Sequence, residues 1–198
     1  MKIMQTEDIK NLLINELNYH CVKQTGYDCL SGNEYVEIRN ALFEVDKPYI
    51  FECAKLYKRV SEQWYEENYD PILNRNNQFA KLINKLGLNP CTRQAIIYMG
   101  DSSEYNNGDA VICTMYMHVF LDHINDNDYN MQYIVHMRSN DAIEFGNDIQ
   151  WHKKIIGKIT KSLRENFNIN IIDTNITWNA DTLHVYKQYF NLILTNEI

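Results

Sequence analysis

Three short stretches carry the residue types that could do chemistry. Cys113 lies in DAVICTMYMHVFL (109–121), Arg138 and Ser139 in MRSND (137–141), and His184 and Tyr186 in DTLHVY (181–186). A thiol becomes a good nucleophile where a neighbouring cation lowers its pKa, and a guanidinium suits a small anion. Taken singly, each has a plainer reading. A cysteine inside an apolar strand is ordinarily a small buried hydrophobe, an arginine near a strand end is ordinarily a surface charge, and His184 and Tyr186 read as aromatics on a helix face.

The bulk properties narrow the classes. The chain has 198 residues, 45% of them hydrophobic, which suits a single domain over 1–198. Its 19 lysines and arginines against 26 aspartates and glutamates give a formal charge of -7. That argues against a broad phosphate-tracking surface, so no direct nucleic acid contact is expected, while a small anionic ligand stays open. No apolar run is long enough for a bilayer, and the start, MKIMQTEDIKNLL, is charged too early for a signal peptide. No membrane partner and a cytoplasmic location are therefore expected. The five cysteines (Cys21, Cys29, Cys53, Cys91 and Cys113) form no C-x-x-C pair, so reduced thiols and no metal site are expected.

The elements that must position these residues are mixed. Apolar spacing predicts a helix over 5–19 with Thr6 as N-cap, a strand over 34–45, and a helix over 49–67. Residues 68–77 read as loop and 78–87 as a short helix closed by Gly87. Strands follow at 93–99, 110–121 and 131–137, the last two joined by a hairpin loop, HINDNDYN. A long helix over 149–167, a strand over 171–180 and a final helix from Asp181 close the chain. Without regular βα alternation, the class is α+β.

The order of the motifs adds what each lacks alone. TRQAI (92–96), ICTMYMH (112–118), MRSNDAIEFGNDIQW (137–151) and DTLHVY (181–186) resemble, in series, the site motifs of the thymidylate synthase/deoxycytidylate hydroxymethylase family. EYVEIRNALFEVDKPYIF (34–51) extends the resemblance upstream, and the match is best to the family's phage hydroxymethylase branch. The resemblance implies a thymidylate synthase-like mixed sheet flanked by helices, in a homodimer packed sheet to sheet. It implies that Cys113 adds as a thiolate to C6 of a pyrimidine deoxynucleotide monophosphate and makes C5 nucleophilic. Arg138 and Ser139 would hold the 5′-phosphate, Arg93 would reach a phosphate across the dimer interface, and His184 and Tyr186 would bind the sugar 3′-hydroxyl. Asp141 would orient the pterin of 5,10-methylenetetrahydrofolate, the implied cofactor.

One position separates branches of the family. Thymidylate synthases carry an asparagine that pairs with uracil, whereas Asp148 would accept from the cytosine 4-amino group and from a protonated N3. A one-residue deletion after Asp141 leaves Asn147 as a rival; Asp148 keeps Ile149 and Trp151 in register. The implied reaction converts dCMP, methylenetetrahydrofolate and water to 5-hydroxymethyl-dCMP, a precursor of modified phage DNA. The sequence departs from the family at the catalytic glutamate, where Ser61 stands with Glu62 beside it, and at Gln94, where an arginine is usual. These departures keep two alternatives open. One is a dUMP-directed or folate-independent pyrimidine-nucleotide enzyme, the other a catalytically weakened nucleotide-binding relative.

Overall fold

Isoleucine and leucines at four-residue intervals give the first helix one apolar stripe, and that stripe sets the chain on its sheet. The computed structural model of the protein describes residues 3–23, 27–28, 34–51, 62–100 and 112–195. Helix α1 (Thr6–Lys23) buries Ile9, Leu13 and Leu17 and packs on strand β3 (Glu34–Glu44). Thr6 begins it, but the cap is borrowed: the Thr6 backbone N–H donates to Asp46 Oδ1 at 3.0 Å. Strands β1 (Met4–Gln5) and β2 (Tyr27–Asp28) flank β3. Of the predicted 49–67 helix, 52–61 fall outside the described residues; α2 (Glu62–Asn68) is its described end.

The 68–77 stretch is not loop. It forms α3 (Asp70–Asn74) and a 3-10 turn (Arg75–Asn77), because Pro71 suits a helical first turn and Leu73 supplies a buried anchor. Helix α4 (Gln78–Leu88) follows, and Gly87 lies inside it rather than ending it. A Cβ there would stand 2.3 Å from the Phe167 ring, so Gly87 lets α4 approach α5 (Phe145–Phe167).

The remaining strands are β4 (Ile96–Tyr98), β5 (Thr114–Asn125), β6 (Asp128–Met137), β7 (Asn140–Asp141) and β8 (Asn170–Tyr186). The path is β1-β3-β8-β6-β5-β4, with β2 on β3 and β7 on β8. Strand β8 runs parallel to β6 and β7 and antiparallel to β3, so the sheet is mixed and the class α+β. The long HINDNDYN loop contracts to a two-residue turn, since Asn125 already pairs with Asp128 and Asp126 takes a φ of 39°. The final helix expected from Asp181 is strand instead. Val185 and Leu183 alternate into the core and pair with Val36 and Ile38 of β3, and helix begins only at α6 (Phe190–Leu194), after a 3-10 turn.

One line across the sheet matters for function. Buried positions on β8 run Ile176, Trp178, Ala180 and then Leu183, Val185; on β6 and β7 they run Val135, Met137 and then Asn140; on β3 they run Val36 and then Ala41, Phe43. Each strand changes phase by one residue, at Asn40, at Asp181–Thr182 and at Arg138–Ser139; the register passes over Asn40, Asp181, Arg138 and Ser139, and Thr182 pairs with Arg39. A one-residue slip turns side chains to the opposite face.

Candidate active site

The phase change lifts Arg138 and Ser139 out of the β6–β8 register and sets them at a cavity of about 350 Å³. The Arg138 backbone N–H donates to the Cys113 carbonyl at 2.8 Å, which brings the end of β6 against the residue preceding β5. Arg138 Nη2 then lies 4.0 Å from Cys113 Sγ. Beyond the slip, His184 and Tyr186 stand two apart on a strand, so both reach the cavity, as the sequence order implied but not as helix neighbours. Ser139 Oγ lies 3.4 Å from His184 Nδ1, and the His184 and Tyr186 rings are 4.9 Å apart. Burial depresses His184 to about 4, which leaves it neutral near pH 7.

The opposite wall is drier. Asp148 sits in the first turns of α5, buried at 9% exposure. Its Oδ1 accepts from the Tyr65 hydroxyl at 2.6 Å and its Oδ2 from Asn140 Nδ2 at 2.6 Å. Asn140 Oδ1 in turn accepts from Trp178 Nε1 at 3.2 Å. Burial pushes the Asp148 carboxyl up to about 6, with Tyr65 and Asn140 holding it back. Asn147 points elsewhere: its Nδ2 donates to Glu144 Oε2 at 2.6 Å, and it does not line the cavity.

Tyr69 also lines the cavity. It is buried at the junction of α2 and α3, with its hydroxyl in reach of the Thr114 side chain and the Cys113 backbone. Trp151 holds that junction, stacking on Tyr65 with centroids 6.0 Å apart and donating from Nε1 to Asp70 Oδ1 at 3.1 Å. The thiol's environment corrects one expectation. Burial raises the Cys113 pKa, and Arg138 opposes that rise without reversing it, while the Asp148 charge adds to it.

The remaining sequence-derived residues divide. Asp141 lines the cavity, with Oδ1 accepting from the Ile143 N–H at 2.9 Å. Glu62 opens α2, two residues before cavity-lining Trp64; its side chain lies outside the described residues. Arg93 is exposed before β4 and does not line the cavity; its carbonyl accepts from His118 Nε2 at 3.0 Å. Sequence reasoning missed Tyr65, Asn140 and Glu144. Only Asn140 carried a signal, as the fourth residue of MRSND.

No family profile matches the chain. Curated proteins named deoxycytidylate 5-hydroxymethyltransferase, from Enterobacteria phages T4, T2 and T6, are each 26% identical over an alignment of 209 positions. The alignments cover 82% of this chain and 80% of each relative. The chain is a relative of these phage enzymes. The activity in their names is one that a thiol, a guanidinium and a buried carboxylate around one cavity can support. No helix among the described residues is long and apolar enough to cross a membrane.

Proposed function

We propose that the protein is a deoxycytidylate 5-hydroxymethyltransferase in which Cys113 forms the covalent adduct at C6 of dCMP. The observation that carries this reading is that Cys113, Arg138 and Asp148 line one cavity, which a nucleotide could span from phosphate to base. Arg138 and Ser139 bind the 5′-phosphate, and neutral His184 with Tyr186 takes the 3′-hydroxyl. Asp148 reads the base edge, accepting from the 4-amino group and a protonated N3. Cys113 gives its thiol proton to solvent, and its Sγ adds to C6 as the C5–C6 π bond breaks and leaves the electron pair at C5; Arg138, 4.0 Å away, favours the thiolate. Tyr69, beside the Cys113 backbone, packs the thiol from the α2–α3 side.

The cavity's chemistry also suits a reduced folate. Trp64, 41% exposed, offers an aromatic face at the cavity, and Asp141 a carboxylate for pterin N–H groups. Methylenetetrahydrofolate, when bound, supplies the one-carbon unit. The half-exposed sheet face carrying Tyr116, His118, Phe120, Ile134 and His136 suits a sheet-to-sheet homodimer of thymidylate synthase-like fold. In that dimer Arg93 acts from the partner subunit.

Calorimetric titration with dCMP, dUMP and CMP, repeated with methylenetetrahydrofolate, tests the reading. Tighter binding of dCMP than dUMP, narrowed or reversed in Asp148→Asn, is expected. Equal binding of dCMP and dUMP by both proteins would overturn it.

A further inference from the structure

Asp148 is held from both sides by groups drawn from distant parts of the chain. Tyr65 comes from α2, Asn140 from β7, and Trp178 from the middle of β8. The polarity of this chain of hydrogen bonds is fixed at one end. An indole N–H can only donate, so Asn140 must present Oδ1 to Trp178 and therefore Nδ2 to Asp148. Asp148 Oδ2 is thus an acceptor. An ionised carboxylate has about four acceptor positions; with Tyr65 on one oxygen and Asn140 on the other, each keeps capacity for the base.

We propose that Tyr65 and Asn140 are positioning residues that keep Asp148 an acceptor on both oxygens and thereby exclude uracil. This rests on the reading of Asp148 as the base reader. A protonated carboxyl would offer one donor and one acceptor, as an asparagine does, and so would meet uracil O4 and N3–H. An ionised one presents acceptors only, which repel O4. Burial drives Asp148 toward the protonated form, and the two donors oppose it. Tyr69, Cys113 and Asp141 bear on the same carboxylate electrostatically, and Arg138 and Glu144 share its cavity. Tyr69 and Glu144 also bear on Tyr65 itself, and Tyr65→Phe and Asn140→Leu replace none of these five. Both clamp residues also line the cavity, but the action assigned to them runs through Asp148.

The test is calorimetric titration of dCMP, dUMP and deoxyribose 5-phosphate into the native protein, Tyr65→Phe and Asn140→Leu, between about pH 5 and 8. Tyr65→Phe keeps the ring stacked on Trp151 and removes only the hydroxyl. The dCMP-to-dUMP affinity ratio should shrink about tenfold near pH 7 in each variant, the scale of one hydrogen bond to a charged group. Native dUMP affinity should rise as pH falls through about 6. In Tyr65→Phe that rise should begin at higher pH, with deoxyribose 5-phosphate affinity unchanged. A collapsed site would weaken all three ligands together and shift no profile. An unchanged ratio and an unchanged dUMP profile in Tyr65→Phe overturn the clamp. A native protein that does not prefer dCMP overturns instead the reading on which it rests. Should Asn140→Leu lose deoxyribose 5-phosphate binding as well, Asn140 is structural and leaves the proposal, and Tyr65→Phe alone decides.

Discussion

The two ends of the cavity are built on different principles. The end with Arg138, Ser139, His184 and Tyr186 is made from adjacent strands that slip phase along one line, and its polar groups stay partly open to solvent. The end with Tyr65, Asn140 and Asp148 is dry, and its three residues are 83 and 8 positions apart in the chain. At the open end, charge and strand alternation suffice to place the groups. At the dry end every polar atom must find a partner, because an unmade buried hydrogen bond costs about 1–3 kcal/mol. Affinity can thus come from the open end, and discrimination from the closed one.

The sharpest test of how the two ends meet is the thiol between them. Cys113→Ser should lower exchange of the dCMP C5 hydrogen with solvent by roughly a thousandfold or more, because that exchange requires addition at C6. Exchange at the native rate in the serine variant would detach Cys113 from the chemistry.

The open end is broken next. Arg138→Ala should weaken dCMP about a hundredfold, the scale of a charge-assisted hydrogen bond to phosphate. Deoxycytidine, which lacks the phosphate, should bind both proteins alike. A parallel loss for deoxycytidine would move Arg138 from anion binding to structure.

Stability against pH separates the ends by sign. Asp148 has its folded pKa raised to about 6 from 3.8, so its stabilising contribution is present at low pH and lost as pH rises through about 6. Buried His184 at the open end is depressed to about 4 from 6.5, so its contribution is present above about 6.5 and lost on acidification. Between about pH 7 and 5 the two effects oppose, and Asp148→Asn should steepen the loss of melting stability by roughly 1–3 kcal/mol. Identical pH profiles for the two proteins would contradict the burial of that carboxyl.

The smallest effect belongs to the sugar. His184→Gln should weaken dCMP by about fivefold, the scale of one neutral hydrogen bond. It should leave 2′,3′-dideoxycytidine monophosphate unaffected, since that ligand has no 3′-hydroxyl. Equal losses for both nucleotides would remove His184 from the sugar contact.

The sequence by itself determined the α+β class, α1, α5, most of the strands and the ordered motifs around Cys113, Arg138 and His184, because local spacing and side-chain chemistry carry that information. It placed Asp141 and Asp148 in the series and left Asn147 as a rival. The tertiary structure shows which of the two side chains enters the cavity, since the packing of α5 turns Asp148 to Tyr65 and Asn140 and Asn147 to Glu144. The helix expected from Asp181 also failed at 181–186, where Leu183 and Val185 alternate and pairing with β3 imposes strand. Tyr65 gave no signal, since a tyrosine following Trp64 in a charged helix looks like any half-buried aromatic. Its role exists only because Trp151 stacks beneath it and aims its hydroxyl at a carboxylate contributed by another helix. Partnerships of that kind depend on three-dimensional packing, which residue spacing along a chain does not encode.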